Sequence, residues 1–425
     1  MSRIIKISKF SMEERKQILD DVEVILKKGD GMYKKHIYIY PIECDDKFGY
    51  IPFSYDLKIK RPPRNIFPNT NIEFKGILRT EQVNVKNDTL SYLNKTGSCI
   101  ISAYCGFGKT ALSIYLATRV KLKTLIITHR IVLINQWKES IQYFCPNAKI
   151  QILKTKSDMN YEADFYIMNA SNVFKKEVTY FKTIGFLVVD ELHCIMAEGM
   201  YKAMTRIVPR YLLGLSATPF REDGLDKLIR LYFGENRISK QLNRLHYEYK
   251  VKTGFVPNVE RQQNGKVNWN SILDSQSRDN TRNELIITIV KHFKDRIFLI
   301  LCKRVDQANI LLNRLKDEGE AVSSLIGKQQ TFEHNCRILI GISSKVGTGF
   351  SHKRLDTLLL ASDIKAYFIQ YLGRVFRRED VIPFIFDLVD TNSILENHYR
   401  FRKKIYHEHG GQISDFNKTF PNVLN

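Results

Sequence analysis

Lys109, Thr110, Asp190 and Glu191 are the residues whose types and setting suit chemistry on a polyphosphate. The first two close the run Ala103-Tyr104-Cys105-Gly106-Phe107-Gly108-Lys109-Thr110. An apolar stretch, Cys99-Ile100-Ile101-Ser102, precedes it, and a helical one, Ala111 to Val120, follows. A glycine-bearing turn between strand and helix points backbone N–H groups at an anion. Lys109 then reaches the outer phosphates, and the Thr110 hydroxyl is placed to hold magnesium. Ala103 stands where the general pattern has its first glycine and is small enough for a tight turn, while Gly106, Phe107 and Gly108 form the rest of the cradle. The plainer alternative is a glycine-containing turn with a surface lysine.

Asp190-Glu191-Leu192-His193 follows the apolar run Phe186-Leu187-Val188-Val189. Carboxylates at the C-terminal end of a strand sit where ligands bind in open parallel sheets. Asp190 is the expected magnesium holder, with Thr110, and Glu191 the group that orients and deprotonates an attacking water. Taken alone the pair also reads as charges at a helix N-terminus. Ser216-Ala217-Thr218-Pro219 ends another apolar run, and the hydroxyls of Ser216 and Thr218 suit a bridge from the acidic motif to the rest of the lobe. Further on lies Gln370-Tyr371-Leu372-Gly373-Arg374-Val375-Phe376-Arg377. Arg374 and Arg377 are spaced to share a helical face. They suit charge stabilisation on a γ-phosphate, or simply a solvated basic helix with Arg378.

These groups need a scaffold. From Gly97 to about Phe233 short apolar runs (Thr124–Thr128, Asp164–Met168, Gly185–Val189, Tyr211–Leu215) alternate with amphipathic ones such as Ile131–Phe144. That alternation predicts a parallel sheet covered by helices. A second series has helices Asn280–Phe293, Val305–Glu318 and Ile364–Arg377, with strands Ile297–Leu301, Arg337–Ile342, Asp356–Ala361 and Phe384–Leu388. Gly234 to Ser277 reads as the connection between them. Strands are expected in Lys35–Ile42 and Tyr50–Phe53, and Arg61-Pro62-Pro63-Arg64 reads as a rigid linker. The expectation is an α/β chain: a small N-terminal α+β domain over 1–75, α/β domains over 76–240 and 241–408, and a tail over 409–425.

The chain has 425 residues and a formal charge of +21. Such an excess fits a polyanionic partner, and fits equally a lysine-rich, AT-biased coding sequence. Seven cysteines without a Cys-x-x-Cys pair argue against a zinc ribbon or disulfide framework and for a reducing, intracellular compartment. Glu13 and Glu14 interrupt any leader-like stretch, and no apolar run approaches the roughly 18 residues of a membrane span.

Taken in order, the blocks between Leu78 and Asp390 resemble the superfamily 2 helicases. The resemblance implies two tandem RecA-like domains, ATP and magnesium as cofactors, and movement on nucleic acid. Leu78-Arg79-x-x-Gln82 resembles the segment whose Gln approaches adenine. Thr128–Trp137 resembles the first nucleic-acid motif; Phe298–Arg304 and Ser344–Gly349 resemble motifs of the second domain, with Gly349 on the nucleotide side. His193 and Gln370 are implied to couple hydrolysis to lobe movement. Arg130, Gln136, Ser171, Lys345 and Thr348 are the implied nucleic-acid contacts, while Trp137 is as readily core as stacking platform. Leu215-Ser216-Ala217-Thr218-Pro219-Phe220-Arg221-Glu222-Asp223 is similar to the XPB and UvsW branch, and the phosphate loop and Gly347-Thr348-Gly349 to transcript-release DNA helicases of poxviruses and other large DNA viruses. That branch implies a 3′-to-5′ DNA motor in viral transcription termination, with RNA polymerase or a transcription complex as partner, in host cytoplasm or virion. The motif departs from the family where Gly349-Phe350-Ser351-His352 lacks the usual carboxylate.

Three other readings compete with a strand-separating DNA motor: a duplex translocase or branch-migration motor that leaves strands paired, an RNA helicase, and a nucleic-acid scaffold with an inactive motor. A small-molecule P-loop kinase leaves the second series unexplained.

Overall fold

The structure, a computed structural model, describes residues 2–28, 35–56, 61–197, 199–217, 225–327, 329, 331–346, 352–364 and 368–423. The chain divides into two compact units, one of Met1–Ala103 with Phe107–Lys240, the other of Gln241–Asn425 with Tyr104–Gly106.

The first unit is built on a seven-stranded sheet with the order Arg237–Lys240, Ser98–Ala103, Tyr211–Ser216, Phe186–Val189, Thr124–Thr128, Phe165–Asn169, Ile150–Leu153. Every pairing is parallel. The five inner strands are buried on both faces, which is why they read as largely apolar runs. Helix Ile131–Phe144 falls at the bounds its period predicts, burying Leu133, Ile134, Trp137 and Ile141. The N-terminal appendage carries a three-stranded antiparallel sheet (Ser2–Lys6, Phe48–Pro52, Glu43–Cys44), a hairpin (Val24–Lys28 with Lys35–Ile39) and helix Met12–Val22. Ser11 and Glu14 cap that helix reciprocally, satisfying two of its orphan N–H groups. Val24, Leu26, Ile39 and Phe53 join the main core. Half-buried Glu43 pairs with Arg206 at 2.5 Å and accepts from Thr205 Oγ1.

The second unit has its own seven-stranded parallel sheet: Val322–Leu325, Ile338–Ile342, Phe298–Cys302, Thr357–Leu360, Phe384–Val389, His246–Lys252, Gly411–Asp415. Two expectations change here. The stretch read as a connection, Gly234 to Ser277, supplies strand Arg237–Lys240 to the first sheet and His246–Lys252 to the second. Its sequence, His-Tyr-Glu-Tyr-Lys-Val-Lys, puts charges on alternate positions, and tertiary pairing overrides that polarity. The stretch read as a tail, 409–425, supplies edge strand Gly411–Asp415, and Phe416 behind it is fully buried.

Several buried polar groups inside the second unit bond one another. Arg402 donates to both Asp387 oxygens and to Asp363, and Tyr406 Oη also donates to Asp387. Glu248 is fully buried beside them, and burial, then the negative charge of Asp387, pushes its carboxyl up to about 9. Because the folded value lies above the unfolded one, the proton on Glu248 stabilises the fold below the unfolded pKa. That contribution declines as pH rises from about 4.5 through about 9. Glu248→Gln is therefore expected to raise the melting temperature increasingly between those limits and to flatten its pH profile. A calorimetric pH series in which the two proteins run parallel would remove this assignment.

Candidate nucleotide site

The phosphate loop, Asp190, Glu191 and Ser216 lie where strands of the first sheet end. Strand Ser98–Ala103 runs into the loop, and helix Lys109–Val120 leaves it from Gly108, whose backbone is left-handed at φ 86°. A side chain at Gly108 is also blocked: its Cβ would fall 2.5 Å from Gln82 Nε2. Gln82 is 4% exposed, and its amide donates to Phe107 O at 2.8 Å while its oxygen accepts from Arg79 N. Gln82 thus ties helix Thr80–Lys95 to the loop. Ala103 and Phe107 are buried in the loop's floor. Lys109 Nζ donates to Ala103 O at 2.6 Å, so the ammonium is folded over the cradle.

Asp190 follows Val189, two strands along in the sheet. Its Oδ2 accepts from Trp137 Nε1 at 2.8 Å and its Oδ1 from Glu191 N at 3.0 Å. Burial, then the charge of Glu191, raises its carboxyl to about 6, against the pull of Trp137 and Lys109. A cation here relieves that penalty. Trp137, 2% exposed, is core and not an open stacking surface. The pairing of Thr124–Thr128 with Phe186–Val189 explains it, since the next helix then lies over Asp190.

Glu191 is held at φ 48°, ψ 53°, uncommon for a side chain with a Cβ. Strain of that kind persists where surroundings enforce it and clusters at functional sites. Its Oε2 is buried, has no hydrogen bond among the described residues and lies 3.6 Å from His193 Nδ1. His193 Nδ1 also meets Ser216 Oγ at 2.8 Å. The fold therefore joins the acidic motif to the strand end carrying Ser216; Thr218 lies outside the described residues. His129, which sequence reasoning passed over, stands near by, lowered to about 4 by burial and then by the charges of Arg130 and His193.

The expected nucleic-acid residues of this unit lie at the same strand ends. Arg130 is the N-cap of the helix after Thr124–Thr128, Gln136 lies in that helix's second turn, and Ser171 donates through N and Oγ to Asn169 Oδ1. In the second unit Lys345 Nζ donates to Gln329 O. Gln370 and Arg374 are buried in helix Phe368–Val375. Arg377 lies beyond that helix, so the expected shared helical face is corrected: the helix stops two residues early. Burial, then Arg374's charge, lowers the Arg377 guanidinium to about 10. Thr348 and Gly349 lie outside the described residues. Among the described residues no group of three or more His, Cys, Asp or Glu is arranged to hold a metal ion, and no helix is long and apolar enough to cross a membrane.

Comparison with known proteins places this geometry. Residues 75–221 match the family described as "Type III restriction enzyme, res subunit". Over 86% of the chain and 89% of the relative it is 42% identical to "Putative helicase 161L" of Invertebrate iridescent virus 6. It is 28% identical to the similarly described 055L of Frog virus 3, over 84% of each. A solved structure of yeast Dbp5 bound to RNA and ADP BeF3 superposes with TM-score 0.55 at 16% identity, covering 82% of this chain and 98% of that one. The fold is thus two tandem RecA-like domains with an N-terminal appendage, and the chain belongs to the superfamily 2 helicases of large DNA viruses. Its relatives include the iridescent-virus proteins, and this chain is an ATP-hydrolysing helicase that acts on nucleic acid.

Proposed function

We propose that this chain couples ATP hydrolysis at the Lys109 loop to 3′-to-5′ movement on DNA, in viral transcription termination and transcript release. One observation carries the hydrolytic half: loop, Asp190, Glu191, His193 and Ser216 converge at one edge of one sheet, with a carboxylate oxygen of Glu191 buried and without a hydrogen bond. Lys109 moves from Ala103 O to the outer phosphates, and Gln82 holds the loop in register. Glu191 takes the proton of the attacking water, and the His193–Ser216 contact passes the change onward.

Magnesium fits this donor set, because Thr110 and Asp190 supply few protein ligands and phosphates and water supply the rest, as the ion prefers. When bound, it neutralises charge developing on the phosphates. Arg374 and Arg377 stabilise the transferring phosphoryl group. Arg377→Ala is expected to keep nucleotide affinity and lose turnover about a thousandfold; unchanged hydrolysis would move that role elsewhere.

DNA is favoured by the likeness of Leu215–Asp223 to the XPB and UvsW branch. RNA is the second reading, favoured by a relative of Acanthamoeba polyphaga mimivirus called an ATP-dependent RNA helicase, 24% identical over 77% of this chain. ATP turnover measured beside single-stranded DNA, duplex DNA and RNA separates them. The proposal expects the largest stimulation from DNA, with affinity falling steeply as salt rises. Stimulation by RNA alone would overturn the DNA assignment.

A further inference from the structure

A cavity of about 880 Å³ opens at the other edge of the first sheet. Ser98 and Arg210 line it, at the start of strands whose far ends carry the phosphate loop and Ser216. Arg3, Arg61, Arg64, Lys95 and Arg210 converge there, against the exposed carboxylates of Asp56 and Glu235. Among the described residues no ion pair joins Arg61, Arg64, Lys95 or Arg210 to a carboxylate.

Arg61, Arg64 and Arg210 are held in place by backbone carbonyls. Arg61 donates to the carbonyls of Leu93, Asn94 and Lys95, which end helix Thr80–Lys95. Gly97 makes room for it: a Cβ there would fall 2.5 Å from Arg61 Nη1, and φ is +89°. Arg64 donates to Val120 O, the end of the phosphate-loop helix. Arg210 donates to Pro62 O, and its Nε is buried without a hydrogen-bond partner among the described residues. The Arg61 and Arg210 guanidiniums lie 6.0 and 5.4 Å from the Tyr211 ring. Burial, then the charge of Arg210, lowers the Arg61 pKa, as expected where guanidiniums gather.

Carbonyls account for part of this donor set and carry no charge, and five cations outnumber the two carboxylates of the lining. Guanidinium forks fixed in this way suit the oxygens of a phosphate. The cations come from separate segments along one opening, which suits a chain of phosphates better than a single small anion. We propose that this cavity is a second phosphate-binding site, taking the phosphodiester backbone of the strand on which the motor acts. The inference rests on the nucleic-acid motor reading above. Strand Ser98–Ala103 has six residues, so the two edges lie about 20 Å apart. At a rise of about 3.4 Å per nucleotide, a backbone touching both extends about six nucleotides past the loop-side motifs.

The test uses the full chain and variants Arg210→Gln with Lys95→Gln, neither placed in the nucleotide site. Binding of fluorescent single strands of about 8 and about 30 nucleotides is followed across a salt series. Long-strand affinity is expected to fall about tenfold, with its log–log salt slope reduced by about 1.4 for two lost contacts. Short-strand affinity and short-strand-stimulated ATP turnover stay at wild-type values, and Arg210→Lys restores most of the long-strand loss. Long-strand binding indifferent to the variants, or equal loss on both lengths, overturns this site alone. If the wild-type chain binds neither strand, the motor reading falls and this site with it.

Discussion

Glu191→Gln protein is expected to bind ATP as wild type does and to hydrolyse it about a hundred- to ten-thousandfold more slowly, the range lost with a general base. The substitution keeps the side chain's shape and removes its basicity. It leaves Lys109, Asp190 and the loop untouched, so binding and turnover separate. The backbone supplies a control on the same residue. At φ 48° the Cβ of Glu191 is disfavoured, and glycine there relieves about 1–2 kcal/mol. Glu191→Gly should therefore melt no lower than wild type while hydrolysing as little as Glu191→Gln. Phosphate release, equilibrium nucleotide binding and calorimetry on the three proteins make the comparison. Ordinary turnover by Glu191→Gln would take water activation away from this residue.

The second large effect is on stability. Arg282 and Asp390 are buried with side chains fully out of solvent, 2.9 Å apart. Asp390 also accepts from Gln276 at 2.6 Å and from Thr253 at 2.7 Å, and Arg282 donates to Ala361 O. These bonds join helices Trp269–Arg278 and Asn280–His292 to the strand ends at Ala361 and Asp390. Arg282→Met leaves the carboxylate buried and unpaired, and is expected to cost about 3–5 kcal/mol. Removing both charges, as Arg282→Met with Asp390→Leu, should recover much of it, because two desolvation penalties vanish together. Urea unfolding checks both. A loss under about 1 kcal/mol for the single variant would place the pair with weak surface bridges.

Much of this was legible in the residues. Strands buried on both faces announced themselves as apolar runs, and a strong amphipathic period marked Ile131–Phe144 to the residue. The placement of Lys109, Asp190 and His193 beyond strand ends was legible because each follows such a run. Less was legible where polarity and pairing disagree. His246–Lys252 alternates charge with aromatics, and Gly411–Asp415 is mostly polar, yet both find partners in the second sheet. Helix Phe368–Val375 ends before Arg377, although spacing suggested one helical face. Trp137 carried no signal of its own: its bond to Asp190 depends on strand order, which local spacing does not encode. The anchoring of the loop by Gln82 and the gathering of Arg3, Arg61 and Arg210 are likewise products of tertiary structure.

At the centre of this account is the proposal that hydrolysis driven by nucleic acid passes through the Lys109 cradle. Phosphate release by wild-type and Lys109→Ala chains, each with and without saturating single-stranded DNA, puts that to measurement. Strong stimulation in the wild type and none in the variant is the expected outcome, and equal stimulated rates in the two proteins would contradict it.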